Sequence, residues 1–391
     1  MSVDEVAPVA FAGRRGSLMA LALRVGLLTL ATLGVYRFWG RTRLRRWYWS
    51  AVQPGGDPLE YTGDGAEKFA GFLMAVCVLA LWLGVVNLLL MFVSLSWLAA
   101  PWLAYVLSVV GLIPVWAYAR YRARAYMLAR TRWRGIRFGM APGAAGYAGR
   151  VCLHGMFTLA TLGALWPRMT FKLEKYRTDR TYFGTLRLHQ GGQWTILLPA
   201  YTPVLVCGAF ALASLLLAAT STPRMVWLAV PFGIGALYGI VRYRVLSIRL
   251  MAEAKTAGGL SLIATPDPVR VARIVGFGWL AITIVLALPL IGAAFVYALA
   301  PAGRIELLLA TDPTNPLALL ALALFLILYF GLFVAYGVLR HGLITMPLWR
   351  HYAESLTVTG TSALAAVRQR DRQAAPEAGG LAEALDIGAA I

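Results

Sequence analysis

Charged side chains are scarce in this sequence of 391 residues. Asp, Glu, Lys and Arg make up 14% of it, while hydrophobic residues make up 60%, and a soluble domain usually has about 25% charged residues. The composition excludes a soluble globular enzyme and predicts a membrane protein. Cysteine is scarce as well. Cys77, Cys152 and Cys207 lie in apolar stretches at unmatched spacings, which argues against a disulfide framework and a thiolate metal site.

Motifs that carry catalysis are also missing. The sequence has no phosphate-binding GxxxxGK loop, no HExxH metal motif and no GxSxG nucleophile turn. The four histidines, His154, His189, His341 and His351, are widely separated, and no pattern of carboxylates accompanies them. We therefore predict no catalytic residue, no metal and no cofactor, and an enzymatic function is disfavoured.

Six apolar stretches are long enough to span a bilayer, for which about 18 residues are needed. None of them contains Asp or Glu, which disfavours a cation-coupled transporter, since such proteins usually keep a carboxylate at membrane depth. Short, nearly uncharged connections group the stretches into three helical hairpins. The six predicted spans are Phe69 to Trp97, Leu98 to Ala119, Trp194 to Ala219, Met225 to Val241, Ile274 to Ala300 and Pro316 to Val338.

Two weaker apolar stretches, Ser17 to Trp39 and Gly146 to Trp166, carry basic residues. If the second crossed the bilayer, the basic segments before and after it would lie on opposite sides, against the positive-inside rule. We therefore predict two re-entrant or interfacial helices on the cytoplasmic side, with both termini in the cytoplasm of the inner membrane. Eight spans remain the alternative. In the six-span arrangement, nearly all of the net charge of +19 is cytoplasmic.

An identical hexapeptide, Thr-Leu-Ala-Thr-Leu-Gly, occurs in both weaker stretches, each time before a tryptophan and a basic aromatic arm. The duplication predicts internal repeats: residues 1–140 (weak helix, basic arm, hairpin, strand), 141–265, and a partial third at 266–360. Residues 361–391 are predicted to be a disordered cytoplasmic tail. The motif positions are Thr29, Leu33, Gly34, Trp39, Thr158, Leu162, Gly163 and Trp166.

Short β-branched or alternating segments follow the basic arms and predict strands. Since all would emerge on the cytoplasmic side, we expect them to form one small sheet. The predicted fold is thus an all-α polytopic membrane protein with six spans, two re-entrant or interfacial helices and a small cytoplasmic β-sheet. The five predicted strands are Leu59 to Thr62, Gly135 to Phe138, Tyr182 to Leu188, Gly259 to Ala264 and Ser355 to Thr359.

The duplicated Thr-Leu-Gly followed by an aromatic residue, Trp39 and the basic aromatic arm resemble the YjgN-type bacterial inner-membrane proteins, a family with a domain of unknown function. The resemblance covers roughly residues 10 to 360. It implies a polytopic protein of the bacterial inner membrane, and it implies no reaction. The second copy departs from the first, with Ala164 to Pro167 where the first has Val35 to Phe38.

Arginines at membrane depth are the candidate ligand-binding residues. Arg24 and Arg150 lie in the two weak helices, and His154 is one turn from Arg150, so the three could line a site for an anion or a lipid headgroup. Alternatively, the arginines extend to the interface from helices that lie flat. We also expect the basic arms to bind anionic headgroups rather than nucleic acid. The arm arginines in question are Arg41, Arg43, Arg45, Arg46, Arg120, Arg122, Arg242 and Arg340.

The sequence supports two functions. The first is transport or binding of an anionic or amphipathic small molecule or lipid, since repeats and broken helices build binding sites in transporters. The second is a non-transporting membrane scaffold whose cytoplasmic sheet and basic arms recruit a partner or anionic lipid. Oligomeric state and ligand identity are left open.

Overall fold

The computed structural model describes residues 6–98, 101–299 and 316–370. Most of these residues are helical, and short π-helical segments, Trp82–Val86 and Arg340–Thr345, interrupt two of the long helices. The helices are α1 Arg15–Ala31, α2 Arg37–Ala51, α3 Gly65–Leu81, α4 Asn87–Leu98, α5 Pro101–Ala129, α6 Ala144–Ala160, α7 Trp166–Thr178, α8 Leu198–Thr220, α9 Val226–Glu253, α10 Pro268–Leu299, α11 Pro316–Leu339 and α12 Met346–Glu354.

Among the described residues, six helical segments are long and apolar enough to cross a membrane, and they correspond to the six predicted spans. Little of each apolar window is buried inside the protein, so most of the surface of these segments is apolar and open. The basic arms continue two of them without a break, because α5 runs on to Ala129 and α9 to Glu253. The segments are Gly65–Ser96, Trp102–Ala129, Trp194–Thr220, Pro223–Glu253, Pro268–Phe295 and Leu322–Glu354.

In the part of the chain that the structure describes, eleven short strands form two antiparallel sheets at the ends of the arms. The six-stranded sheet has the order β2-β1-β11-β10-β9-β8, and the five-stranded sheet has the order β3-β4-β5-β6-β7. The strands are β1 Ala7–Phe11, β2 Val52–Pro54, β3 Leu59–Tyr61, β4 Thr131–Trp133, β5 Ile136–Met140, β6 Thr181–Phe183, β7 Leu186–Arg187, β8 His189–Gln190, β9 Lys255–Ala257, β10 Leu260–Ala264 and β11 Leu356–Thr359.

The two sheets are joined in the chain at both pairs of edges. A short loop, residues 55–58, links β2 to β3, and Leu188 alone separates β7 from β8. The pairings within the two sheets and the two chain connections between them form a closed circuit of strands, which we call the strand ring. The chain connections place the edge strands of the two sheets next to each other, β2 beside β3 and β7 beside β8.

The predicted single sheet of five strands is corrected by this arrangement. All five predicted segments contain strands, but β1, β2, β4, β8 and β9 were not expected. Four of these five have two or three residues, too few to show the alternation that identifies a strand in sequence. Pairing in register with neighbours makes them strands, as in the β3 and β4 pair of Tyr61 with Thr131.

The buried core lies where the arms meet the strand ring, rather than among the apolar spans. Tyr121, Tyr147 and Tyr176 form one cluster at the junction of α5, α6 and α7. Leu18 and Tyr48, both fully buried, belong to another cluster between α1, α2 and α12. This distribution fits helices whose outer surfaces face an apolar solvent, because such surfaces gain little from burial against one another.

The two weaker apolar stretches fold as 17-residue helices, α1 and α6, and each ends in a turn that leads into a basic helix. Helix α1 packs against α2 and α11, and α6 packs against α5 and α7. Neither is among the six long apolar helices. That the chain consists of three repeats stays a prediction.

The segment that follows β11 is folded as far as the structure describes it. Residues Thr361–Ala366 form a short 3-10 helix, and Val367 is buried against Trp133 and Phe183 of the five-stranded sheet. The backbone of Thr185 donates a hydrogen bond to Arg368 O at 3.0 Å. The first ten residues of the predicted tail therefore pack on the strand ring, and 371–391 lie outside the described residues.

Candidate functional site

The three residues predicted to form a ligand site lie on two separate helices. Arg24 is exposed on α1, whereas Arg150 and His154 lie one turn apart on α6. The guanidinium of Arg150 stacks on the ring of Tyr176 at 4.3 Å and donates a hydrogen bond to Gly146 O at 3.0 Å. Helices α1 and α6 pack against different neighbours. That all three residues share one site stays a prediction.

His154 is half-buried, and its Nδ1 atom has no hydrogen-bond partner among the described residues. Burial lowers the pKa of His154, and the positive charges of Arg168, Lys172 and Arg150 lower it further. The lowered pKa favours the neutral imidazole, which adds no charge to an anion site.

The arginines predicted to meet lipid headgroups have different exposures. Arg43, Arg46 and Arg340 are exposed, so they are accessible to an external ligand. Arg45 is 5% exposed and lies over the rings of Trp49 and Tyr61, at 5.8 Å and 5.4 Å. The remaining four are half-buried: Arg41, Arg120, Arg122 and Arg242.

A cluster of cationic side chains surrounds one buried carboxylate, Glu174, where the arms reach the strand ring. Glu174 Oε2 pairs with Arg177 Nη2 at 2.7 Å, and its Oε1 pairs with Lys255 Nζ at 2.8 Å and Arg124 Nη2 at 3.5 Å. Thr178 Oγ1 donates a further hydrogen bond to Oε1 at 3.4 Å. Arg120 lies near enough to Arg124 and Arg177 for their charges to interact, and Arg244 lies near enough to Arg120. The Glu174 cluster consists of Glu174, Arg120, Arg124, Arg177, Arg244 and Lys255.

Three parts of the fold bring the cluster together. Glu174 and Arg177 lie one turn apart on α7, which begins with Pro167 in its first turn, where proline is favoured. Arg124 lies on the basic extension of α5, and Lys255 opens β9. Rings of Tyr121, Tyr147 and Tyr176, with centroids 5.6 to 6.2 Å apart, fix the helices against one another.

The strand ring fixes the position of Lys255. Its backbone is paired with that of Gln190, the fully buried last residue of β8. Gln190 Nε2 donates to Met251 O at 3.0 Å, which ties β8 to the end of α9. The ammonium group of Lys255 is therefore held beside α7 by backbone pairing and not by its own side chain alone.

The electrostatics of the cluster favour an ionised carboxylate and leave a surplus of positive charge. Burial alone would raise the pKa of Glu174, but Arg124, Lys255 and Arg177 outweigh it and hold the pKa well below its usual range. One negative charge faces three cations in direct contact, and Arg120 and Arg244 add two more. Nε of Arg120 and Nε of Arg177 are buried without a hydrogen-bond partner among the described residues.

The cluster is also accessible from solvent. The side chains of Arg124, Lys255 and Arg177 are 31%, 20% and 17% exposed, and Arg244 is exposed. Guanidinium groups bind carboxylates and phosphates through paired N–H donors. The arrangement can therefore hold a second anion beside Glu174, with the carboxylate orienting the cations.

Sequence reasoning identified Arg120 but missed Glu174, Arg124, Arg177 and Lys255. A signal was present, because Glu174 and Asp179 are the only acidic residues in the basic segment from Arg168 to Arg187. A carboxylate within a basic helix indicates that it balances positively charged side chains near it. Its partners could not be named, since Lys255 is 81 positions away.

A second buried group of cations lies in the first arm. Lys68, 2% exposed, and Arg45 are both over the ring of Tyr61, with Lys68 Nζ at 5.0 Å from the centroid. Glu67 accepts a hydrogen bond from Tyr126 Oη and pairs with Arg130 at 2.6 Å. Aromatic rings contact the cations here, with the Tyr61 ring shared by both. The Glu174 cluster is the better candidate for a ligand site, because its cations have exposed edges.

Within the described residues, no group of three or more His, Cys, Asp or Glu side chains is arranged to hold a metal ion. In a comparison with known families, the model of DUF898, described as a bacterial protein of unknown function, matches residues 6–386. No curated protein and no solved structure matches the chain.

Proposed function

The chain belongs to the DUF898 family of bacterial proteins of unknown function, which includes the YjgN-type proteins, and we propose that it binds an anionic or amphipathic molecule in the inner membrane. The binding group is the Glu174 cluster. The ligand class is a phosphate- or carboxylate-bearing headgroup, either of a membrane lipid or of a free small molecule. Transport of that ligand across the membrane is the extension of this proposal that the sequence favours.

The surplus of positive charge at the Glu174 cluster is the observation that carries the proposal. Burying cations without counter-charges is unfavourable, and several of these side chains have lost part of their contact with water. Glu174 balances only one of the five cations. A bound anion would balance further charges and accept hydrogen bonds from the exposed edges of the guanidinium groups.

The position of the cluster supports a membrane ligand. Arg120 follows directly on the apolar part of α5, and Arg124 lies one turn further toward the strand ring. Trp116 packs under the Arg120 guanidinium at 5.1 Å, an arrangement typical of a helix end at the headgroup level. The cluster thus lies at the depth where headgroups would be, provided that the six apolar helices span the bilayer.

We infer the membrane arrangement from the positive-inside rule: three helical hairpins, with the strand ring and both termini in the cytoplasm. Reporter fusions after Trp97, Trp166 and Ala300 test it. We expect a periplasmic signal after Trp97 and Ala300 and a cytoplasmic signal after Trp166. A periplasmic signal after Trp166 would contradict the six-span arrangement.

Ligand binding is tested with short-chain phospholipids and the purified full chain in a neutral detergent. We expect dihexanoyl phosphatidic acid to bind saturably by calorimetry and dihexanoyl phosphatidylcholine not to bind. Arg120→Gln removes a cation that has no ion pair within the described part of the chain, so it should weaken binding about tenfold, as expected for a charge-assisted hydrogen bond.

Arg249→Gln is the matched control, because Arg249 lies outside the Glu174 cluster and pairs with Glu253 on the basic extension of α9. It should leave affinity unchanged. Inorganic phosphate distinguishes the two ligand sources: equal affinity for phosphate and phosphatidic acid indicates a free anion, and a preference for phosphatidic acid indicates a lipid. Absence of saturable binding to either would reject the site and favour the scaffold.

A further inference from the structure

The identical hexapeptides end α1 and α6 with the same unusual turn. In each, a leucine adopts the left-handed backbone conformation, with φ of 49° at Leu33 and at Leu162. These side chains are also the most exposed large hydrophobic ones in the described part of the chain, at 96% and 94%. We call the two turns, residues 29–36 and 158–165, the leucine tips.

Hydrogen bonds define the turn as a Schellman motif. Gly34 N donates to Thr29 O at 2.7 Å and Leu33 N donates to Leu30 O at 3.1 Å. The second copy has the same pair of bonds, with Gly163 N to Thr158 O at 2.7 Å. The left-handed residue of this motif is usually glycine, because a side chain there is strained. A leucine at this position is unfavourable for the backbone, and in water its exposure is unfavourable too.

The tips lie beside the apolar helices. Tyr201, which is within the apolar segment Trp194–Thr220, donates a hydrogen bond from its Oη to Gly163 O at 3.1 Å. At the other tip, Gly26 of α1 packs so closely on Val334 of α11 that an added Cβ would be 2.7 Å from Val334 Cγ1. Ala31, the last residue of α1, is five residues beyond Gly26, about 7.5 Å further along the helix at 1.5 Å per residue, and Leu33 follows in the turn.

Each tip also has an arginine stacked on an aromatic ring nearby. Arg43 lies over the ring of Tyr36 at 5.6 Å, and Arg168 lies over the ring of Phe157 at 5.4 Å. The apolar residue thus marks the end of each helix pair, and the charged groups lie behind it. This polarity along the helix pair is typical of segments that enter a membrane from one side, since arginine side chains can reach back to the headgroups.

We propose that the leucine tips insert into the bilayer leaflet on the strand-ring side, and that acyl chains cover Leu33 and Leu162. The helix pairs α1–α2 and α6–α7 are then re-entrant wedges that penetrate this leaflet without crossing the membrane. The inference rests on the membrane placement in the proposed function, and it is independent of anion binding at the Glu174 cluster.

Site-directed fluorescence quenching tests the proposal. In a Cys77→Ala, Cys152→Ala, Cys207→Ala background, Leu33→Cys and Leu162→Cys are each labelled with an environment-sensitive maleimide fluorophore and reconstituted in phosphatidylglycerol–phosphatidylcholine vesicles. We expect spin-labelled acyl chains to quench both positions several-fold more strongly than aqueous iodide does. The controls are Ile327→Cys on the apolar surface of α11 and Glu60→Cys on β3, both at exposed positions.

The controls separate the possible failures. Ile327→Cys should be quenched by the acyl-chain label and Glu60→Cys by iodide. If both leucine positions behave like Glu60→Cys while Ile327→Cys is quenched by lipid, the tips are in water and the wedge is rejected, with the spans intact. If Ile327→Cys is also quenched by iodide alone, the membrane placement itself is wrong, and the wedge is rejected together with it.

Discussion

Replacing Glu174 with glutamine removes the one negative charge of the Glu174 cluster with almost no change in shape. The carboxylate is 8% exposed and has direct contacts with Arg124, Arg177 and Lys255, two of them at 2.7 to 2.8 Å. A glutamine oxygen can still accept one hydrogen bond from Lys255. All three cations lose their counter-charge, and Arg177, which pairs with the other carboxylate oxygen, then faces the N–H donors of the amide.

The size of the destabilisation depends on how deeply the cations that contact Glu174 are buried. Removing one member of a fully buried ion pair costs about 3–5 kcal/mol. Here the cation side chains are 17% to 31% exposed, so water recovers part of that loss. We expect Glu174→Gln to lower the free energy of unfolding by about 2–3 kcal/mol. Glu253→Gln breaks an exposed pair with Arg249 four residues earlier and should cost no more than about 0.5 kcal/mol.

The free energy of unfolding is measured by denaturant titration of the full chain in a mild detergent, with tryptophan fluorescence as the signal. The pH dependence gives an independent readout. Because the pKa of Glu174 is held below its usual value of 4.5, its stabilisation is complete above that value and is lost as the pH falls through the folded-state pKa. The difference between wild type and Glu174→Gln should therefore be constant above about pH 5 and shrink in acid.

An added anion links this prediction to function. If the cluster binds headgroups, dihexanoyl phosphatidic acid should restore much of the stability that Glu174→Gln loses, because the ligand supplies the missing negative charge. Equal effects of Glu174→Gln and Glu253→Gln on the free energy of unfolding would refute the reasoning. So would a difference between wild type and Glu174→Gln that stays constant down to pH 3.

Three further predictions concern the turns and the ring. Gly163→Ala, at φ of 90°, should destabilise by about 1 kcal/mol, whereas Gly155→Ala in the middle of α6 should stabilise by a similar amount; denaturant titration checks both. Tyr201→Phe removes its hydrogen bond to Gly163 O and should cost about 1 kcal/mol in the same assay. Val367→Asp buries a charge and should release residues 361–370 to trypsin, while Ala366→Asp, at an exposed position, should not.

The long apolar helices could be predicted from sequence because span length is a local property. A stretch of about 20 apolar residues forms a helix in lipid whatever its neighbours are, since its backbone must satisfy its own hydrogen bonds. Five strand segments were also predictable, but β4 and β9, of three residues each, were not. Their conformation depends on partners that are distant in sequence, such as β8 for β9.

In the candidate site, too, some residues could be predicted from the sequence and others depend on partners that are distant in sequence. Sequence placed arginines near the helix ends and identified Arg120, but it did not identify Glu174 or its partners Arg124, Arg177 and Lys255. That Arg24, Arg150 and His154 form one site stays a prediction. Charge alone does not identify a site, because a surface arginine and a buried one look alike in sequence. Burial and partner geometry distinguish them, and both are results of packing.

The sequence by itself thus determined six apolar helices, basic arms and two identical turns, because hydrophobic length, charge and local hydrogen bonding act over a few residues. Only the tertiary structure decided that Glu174 of α7 would meet Arg124 of α5 and Lys255 of β9. Those contacts exist because closing the strand ring brings the ends of separate arms together. Withdrawal from water then makes the pairing of these charges strong enough to define a site.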